Sequence, residues 1–467
     1  MSDHGSDLTQ GRVSHQVLRV SAPMAMGILG VLAVGLSDAY FLARVGDAEL
    51  AAIGFVYPVI VAISAFAIGM SAGANTALSQ AMGRGSGARP VARLALHATG
   101  FGLLLGAAVG LTFLAASPVL FPLLGAEGTV QERVMAYVPW WAASFPVLVT
   151  TMILNAAFRA GGDGATPSSI MVLSAALNIA LTPALVFGLG PVEPMGMAGA
   201  GISTLAARSV GGVLALTLAI RRGRLTAGAH PLRGVLASVR EIVSVGLPAA
   251  ASRAVNPAGM ALVTAAVATL GDAAVGGFGA AARVQSIALV PFFALSSGLA
   301  PVIGQAWGAG RRDRAREAVR LGGGFAIVYG VAVGVFLWAF ADPLAEAMTA
   351  SGAAARYTAD YMRIVGWSLA GYGIVVATNA ALTARSRSGW ALGLSLSRIG
   401  LIYVPLAWFG VGLMGYSGIL LAAVAANVLA AWAAAIAAQA NGLLQGRTAA
   451  VASPARSLAA WSGSRDG

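Results

Sequence analysis

Twelve stretches of this chain run for about twenty to thirty residues with almost no charge. They lie at about 15–43, 51–82, 94–118, 134–158, 165–189 and 195–220, then 241–270, 274–305, 321–341, 357–384, 389–412 and 416–440. A helix needs about 20 mostly apolar residues to cross a bilayer, so each stretch predicts one spanning helix. The breaks carry turn residues, as at Gly46-Asp47, Gly161-Gly162-Asp163-Gly164 and Gly308-Ala309-Gly310. Composition agrees: of 467 residues 58% are hydrophobic and 10% charged, where a soluble protein carries roughly a quarter. Cysteine is absent, which excludes disulfides, thiolate metal sites and cysteine nucleophiles. The first fourteen residues are polar and lack a basic segment with a cleavage site, so no signal peptide is expected.

Charge fixes the orientation. All 29 basic residues are arginine, against 17 acids, for a net charge of +12. With the N-terminus in the cytoplasm, the inner loops hold sixteen arginines, including Arg84, Arg159, Arg222, Arg240, Arg314 and Arg385, and the tails hold five more. The outer loops and span ends hold four: Arg44, Arg133, Arg356 and Arg363. This asymmetry predicts a plasma (bacterial inner) membrane protein with both termini cytoplasmic. The surplus charge reads as topology and attraction to anionic membrane lipids, and no nucleic-acid partner is expected.

The chain is also a repeat. A shift of 225 residues superposes Pro23 on Pro248, Gly46-Asp47-Ala48 on Gly271-Asp272-Ala273, and Gln80-Ala81-Met82-Gly83 on Gln305-Ala306-Trp307-Gly308. With small gaps, Asn155 meets Asn379, Pro183 with Gly190 meets Pro405 with Gly412, and Met195-Gly196 meets Met414-Gly415. Each half has six spans, so the halves are parallel repeats related by an axis along the membrane normal. The expected plan is an all-α integral membrane protein of twelve helices in two six-helix lobes around a central cavity. A tail (1–14), a first lobe (15–220), a cytoplasmic linker (221–240), a second lobe (241–440) and a C-terminal tail (441–467) complete it.

The paired Gln-Ala-x-Gly turns, Arg312-Asp313-Arg314-Ala315-Arg316 after the second, and Gly161-Gly162-Asp163-Gly164-Ala165-Thr166-Pro167 with Asn178 downstream resemble the multidrug and toxic compound extrusion (MATE) transporters over about residues 15–440. The polar set of the first lobe and Arg253 look most like the DinF-type branch. The resemblance implies a secondary antiporter working by alternating access, with no cofactor, not an enzyme, and expected to be a monomer.

One acid stands at membrane depth. Nine acids fall on outer loops and seven on the cytoplasmic side or tails, leaving Asp38 in the first span, about 9 Å from Arg44 at 1.5 Å per helical residue. A carboxylate inside a span costs about 3 kcal/mol on insertion scales and reads as functional. Its repeat-mate is Val263, so the fold itself does not demand the carboxylate. A carboxyl removed from water takes up a proton more readily, as proton-coupled exchange requires. The resemblance adds Tyr137, Asn155, Asn178 and the Ser203-Thr204 pair to the site, and makes Pro23 a hinge of the first helix. Family members commonly carry an acid four residues after Asn178, where this chain has Thr182. Losing that charge favours a proton over a sodium ion as the coupling ion, with Asp38 and Asn178 as the sodium-site alternative.

The same helices carry Arg208, Arg253, Arg283 and Arg398, which need water or partners at that depth. Arg208 and Arg398 are expected to snorkel to the inner face or bind lipid head groups. Arg253 and Arg283, with Met24, Met152 and Phe292, are candidates for the substrate cavity. The expected substrate is a small amphipathic, cationic organic compound, released outward when Asp38 is protonated. A lipid-linked oligosaccharide flippase of the same two-lobe plan is the alternative.

Overall fold

In hydrocarbon a helix satisfies its own backbone polar groups, and the apolar runs fold accordingly. The computed structural model describes residues 7–189, 193–226, 231–349 and 352–444, and every regular element within them is helical. Gly190, His4, His230, Arg447, Arg456 and Arg465 lie outside the described residues.

The first half comprises α1 (Val13–Ala43), α2 (Asp47–Gly83), α3 (Ala88–Leu123), α4 (Gly128–Ala143), α5 (Phe145–Ala160), α6 (Ala165–Val186) and α7 (Gly196–Arg221). The second comprises α8 (Val235–Ala268), α9 (Asp272–Ala288), α10 (Val290–Gly308), α11 (Arg312–Ala339), α12 (Ala341–Met348), α13 (Gly352–Val365), α14 (Leu369–Ala384), α15 (Ser388–Leu396), α16 (Val404–Met414) and α17 (Tyr416–Ala440). Among the described residues eleven helical stretches are long and apolar enough to cross a membrane, and α4 with α5 makes a twelfth, bent by 43°.

The sequence pattern does not reveal the breaks within these spans. Span four breaks at Ser144, because Pro146 has no N–H to offer the carbonyl of Ala142. Its repeat-related partner breaks at a tight turn, Gly366–Ser368. Span eight breaks at Leu289, ahead of Pro291. Span eleven passes through a wide π-helical turn at Ser397–Tyr403, ending just before Pro405. Turns of that kind are frequent at functional sites.

Helices α1–α7 pack together as one lobe and α8–α17 as a second, and the lobes meet through α2 against α8 and α10 against α1 and α2. Glycine makes this contact close. An added methyl at Gly73 would lie 2.9 Å from the backbone of Gly246, and at Gly298 2.6 Å from the carbonyl of Val17. At the same end, Gln80 Nε2 donates to the carbonyl of Ala384 at 2.7 Å while Gln305 Nε2 donates to the carbonyl of Ala160 at 2.7 Å. The two bonds are repeat images of each other, each crossing to the opposite lobe. Residues 7–12 strap over this junction. Gln305 Oε1 accepts the amide of Leu8 at 3.0 Å, Arg311 donates to the carbonyl of Thr9, and Arg314 donates to the carbonyls of Leu8, Gln10 and Gly11. The lobes are thus tied at the end carrying the arginine loops. Toward the other end, Leu36, Tyr40, Tyr57, Pro257 and Gly279 on α1, α2, α8 and α9 are exposed.

Candidate functional site

Asp38 lies on the far half of α1, in the first lobe. Thr182 Oγ1, from α6, donates to its carboxylate at 3.2 Å and pairs with Ser203 Oγ of α7 at 2.9 Å. Next to them Asn178 Nδ2 donates to Thr204 Oγ1 at 3.3 Å, and Thr204 in turn donates to the carbonyl of Ala200. Tyr137 of α4 is buried beside Thr204 and within charge range of Asp38. Four helices of one lobe therefore converge on a single carboxylate. Five expected residues (Asp38, Thr182, Asn178, Thr204, Tyr137) come together as one cluster.

Asn155 does not join them. It is 4% exposed on α5, and its Oδ1 has no hydrogen-bond partner among the described residues. Pro23 lies inside an unbroken α1, where Ser168 donates to its carbonyl.

The repeat separates scaffold from chemistry. In the second lobe the positions equivalent to Asp38, Asn178, Thr182, Ser203 and Thr204 are Val263, Gly400, Val404, Ala422 and Ala423. The polar cluster has no image there. By contrast Ser144, Tyr137 and Arg208 correspond to Ser368, Tyr361 and Asn427. Arg208 Nη1 donates to Ser144 Oγ at 2.6 Å, and Asn427 Nδ2 donates to Ser368 Oγ at 2.9 Å. Each lobe uses a donor on its last span to hold the serine at the break of its fourth, and the first lobe uses an arginine whose charge also reaches Asp38.

This corrects the expected placement of two arginines. Arg208 does not snorkel to an inner face; its guanidinium sits 5.4 Å from the Trp141 ring centroid inside the first lobe. Arg398 is 8% exposed, donates to Asn427 Oδ1 at 3.1 Å and Asn256 Oδ1 at 2.7 Å, and lies 4.8 Å from the Tyr372 ring centroid. Both are held by protein groups instead of lipid. Among the apolar candidates, Phe292 is 1% exposed, packed edge-on to Phe325 and Tyr329 within the second lobe. Met24 is likewise buried, and Met152 is half-buried beside Met70 and Ile153. None of the three is an exposed side chain in this conformation. Arg253 and Arg283 are exposed.

Sequence reasoning missed Arg159, which it placed on a cytoplasmic loop. The side chain instead turns back between α5 and α2, where Nη2 donates to Ser71 Oγ at 3.3 Å. The signal was the helical spacing from Asn155, four residues earlier on the same face of α5. Among the described residues no cluster of three or more acids, histidines or cysteines could hold a metal ion.

Comparison with known proteins fits this geometry. The MatE family profile matches twice, over residues 23–184 and 248–409. The second match begins 225 residues after the first, which is the repeat offset. A relative from Shewanella oneidensis described as an FAD transporter is 34% identical over 437 residues, 91% of this chain and 94% of its own. A probable multidrug resistance protein, NorM, from Thermotoga maritima is 25% identical over 72% of each chain. The crystal structure of the Vibrio cholerae MATE transporter VcmN in the bent form superposes with a TM-score of 0.87 at 27% identity, covering 92% of this chain and 97% of that one.

Proposed function

The chain belongs to the MatE family of multidrug and toxic-compound transporters, multi-pass membrane proteins and not enzymes; from that premise we propose that it exports amphipathic organic solutes in exchange for protons. Asp38 is the group that takes up and releases the proton. The observation that carries this reading is the isolation of Asp38. It is the one carboxylate at membrane depth among the described residues, and it accepts a hydrogen bond from Thr182, the repeat-mates of the two being the apolar Val263 and Val404.

A proton suits the site better than a sodium ion. A sodium ion takes several oxygen ligands, and here a hydroxyl replaces the second acid of the family pattern, while Thr182 already points its hydrogen at Asp38. Asn178, Thr204 and Tyr137 order the cluster around the carboxylate, and Pro23 supplies the bend that follows its protonation. A cationic amphiphile is what the carboxylate would attract, and a flavin dinucleotide is what the name of the Shewanella relative suggests. The arginine asymmetry supports a plasma-membrane location with both termini in the cytoplasm, and the chain is proposed to act as a monomer.

The test is transport in everted vesicles under imposed gradients. A proton gradient of the direction found in cells is expected to drive solute accumulation with no sodium present. Accumulation driven by sodium alone would overturn the proton assignment.

A further inference from the structure

The strap of residues 7–12 is seated on the second lobe. Leu8 is 1% exposed and belongs to a core cluster with Leu299, Val302 and Ile303 of α10. Its amide donates to Gln305 Oε1 at 3.0 Å, and the same carboxamide reaches the first lobe through the carbonyl of Ala160. Arg311 donates to the carbonyl of Thr9 at 2.6 Å. Arg314 spreads its guanidinium over the carbonyls of Leu8, Gly11 and Gln10 at 2.9, 2.7 and 2.9 Å, and over Gln16 Oε1 at 3.0 Å. The three side chains that hold the strap all come from α10, α11 or the turn between them.

The helix that carries the strap belongs to the other lobe. From Val20 onward α1 is gripped by α6 and the turn before it. A methyl at Gly164 would lie 2.7 Å from the Cα of Val20, at Gly27 3.3 Å from the Cα of Ser168, and at Gly30 3.3 Å from the Cβ of Ala175. Ser168 also donates to the carbonyl of Pro23. Toward α10, the comparable close approach among the described residues is at Gly298, against Val17 and Ser21. The strap is therefore tethered to one lobe and seated on the other, beside the bonds that Gln80 and Gln305 exchange. The repeat holds no second copy of this seat. The residue 225 positions after Leu8 is Arg233, and the mate of Arg314 is Arg89; both are exposed. The strap is an addition to the common scaffold.

We propose that residues 7–12 are a latch: they leave their seat on α10 and α11 whenever the arginine-rich end opens, and reseating them stabilises the closed form. A strap held by two long arginine side chains separates more readily than helices pressed backbone to backbone, so α1 keeps to α6 as the lobes part. The seated bonds have charged donors, which makes them the stronger kind. On release the strap's carbonyls return to water, so no buried polar group is stranded. The strength of the seat then sets how often this end opens. A contact kept in both forms cannot bias the equilibrium between them, so weakening the seat distinguishes a latch from a strap that rides on the second lobe. The inference rests on the alternating opening that transport requires, and not on which ion is exchanged.

The chain has no cysteine, so a single one introduced at the junction reports its opening. Thr76 is 2% exposed, and its Oγ1 donates across the lobes to the carbonyl of Thr383 at 3.1 Å. The experiment measures how fast a charged maleimide labels Thr76→Cys in the full chain in nanodiscs, a rate that follows the open population when reclosing is fast. Added to this background, Leu8→Ala and Arg314→Gln are each expected to raise the rate by about tenfold or more, the usual effect of losing a buried leucine or hydrogen bonds to a charged group. Arg314→Lys should give a smaller rise, because it keeps the charge and loses the fork. Arg320→Gln, exposed on the same helix, should leave the rate unchanged. Ala219→Cys, buried in the first lobe among Leu154, Phe158 and Ile170, reports unfolding and should stay slow throughout. An unaltered rate at Thr76→Cys in both Leu8→Ala and Arg314→Gln would overturn the proposal, as would equal acceleration at Ala219→Cys. Failure of the transport reading is seen separately, as vesicles of the parent chain that move no solute.

Discussion

The closure of the lobes at the arginine-rich end depends on two repeat-related glycines, and Gly83→Ala tests it. A methyl at Gly83 would lie 2.8 Å from the carbonyl carbon of Gln305 and 2.9 Å from its Cα, with the carbonyl oxygen closer still. Carbon atoms in contact settle at about 3.5 Å or more, so the facing backbone must retreat by roughly 0.6 Å. Every atom in the way is backbone, and no side-chain rotation relieves the clash. The retreat also stretches the bond from Gln305 Nε2 to Ala160, now 2.7 Å, and its image from Gln80 to Ala384. Overpacking of this kind costs about 1–3 kcal/mol, a shift of roughly 5- to 150-fold in an equilibrium between conformations. The chain has no cysteine, so spin labels at Ser86→Cys and Glu317→Cys report the separation without background. A single short distance is expected in the parent and a second, longer population in Gly83→Ala, with the same outcome in Gly308→Ala. Gly100→Ala, where an added methyl meets nothing within 4 Å, serves as the control. Distances unaltered in both variants would refute the account of the closed end.

Three further outcomes follow from single interactions. Thr182→Val, which copies the second-lobe residue Val404, should fold normally and shift the pH profile of transport, because it removes the hydroxyl bonded to Asp38; an unmoved profile would contradict the role given to that bond. Arg398→Met leaves Asn256 and Asn427 without their buried donor, and a loss of about 1–3 kcal/mol is expected for stranding such groups, read as a lower Tm with transport retained in the folded fraction. Hydrogen bonds from Thr9 hold the carboxyl of Asp7 below its ordinary range. The cap it forms is therefore at full strength above the ordinary aspartate value of about 3.9 and is lost as pH falls through the lowered one, so hydrogen exchange at the Thr9 amide should accelerate only in acid.

Much of this architecture was legible in the sequence, for physical reasons that differ by feature. The twelve spans stand out because hydrocarbon demands long apolar runs whatever their neighbours are. The repeat stands out because paired landmarks such as Gln80 and Gln305 keep one offset, and the family profile recurs at that same spacing. Asp38 stands out because a carboxylate at depth is costly, which left a single candidate after the loops were set aside.

Contacts between distant segments were not legible. Nothing local announces that Gln80 and Gln305 exchange bonds across the lobes, or that residues 7–12 strap onto Arg311 and Arg314. Arg208 and Arg398 were misplaced because a charge in a span shows its cost but not its partner. Arg159 was taken for a loop residue because the helix ends beside it, although its side chain turns back onto Ser71 of α2. Phe292 was assigned to the cavity because an aromatic residue reads alike whether it lines a cleft or fills a core.

The central claim, that Asp38 is the proton carrier, is tested most directly by Asp38→Asn in everted vesicles. The substitution keeps the acceptor for Thr182 and removes the titrating group, so the variant should insert, melt and bind solute like the parent. Under an imposed proton gradient it is expected to accumulate no solute above the level seen without a gradient. Accumulation equal to that of the parent would contradict the assignment of the proton to Asp38.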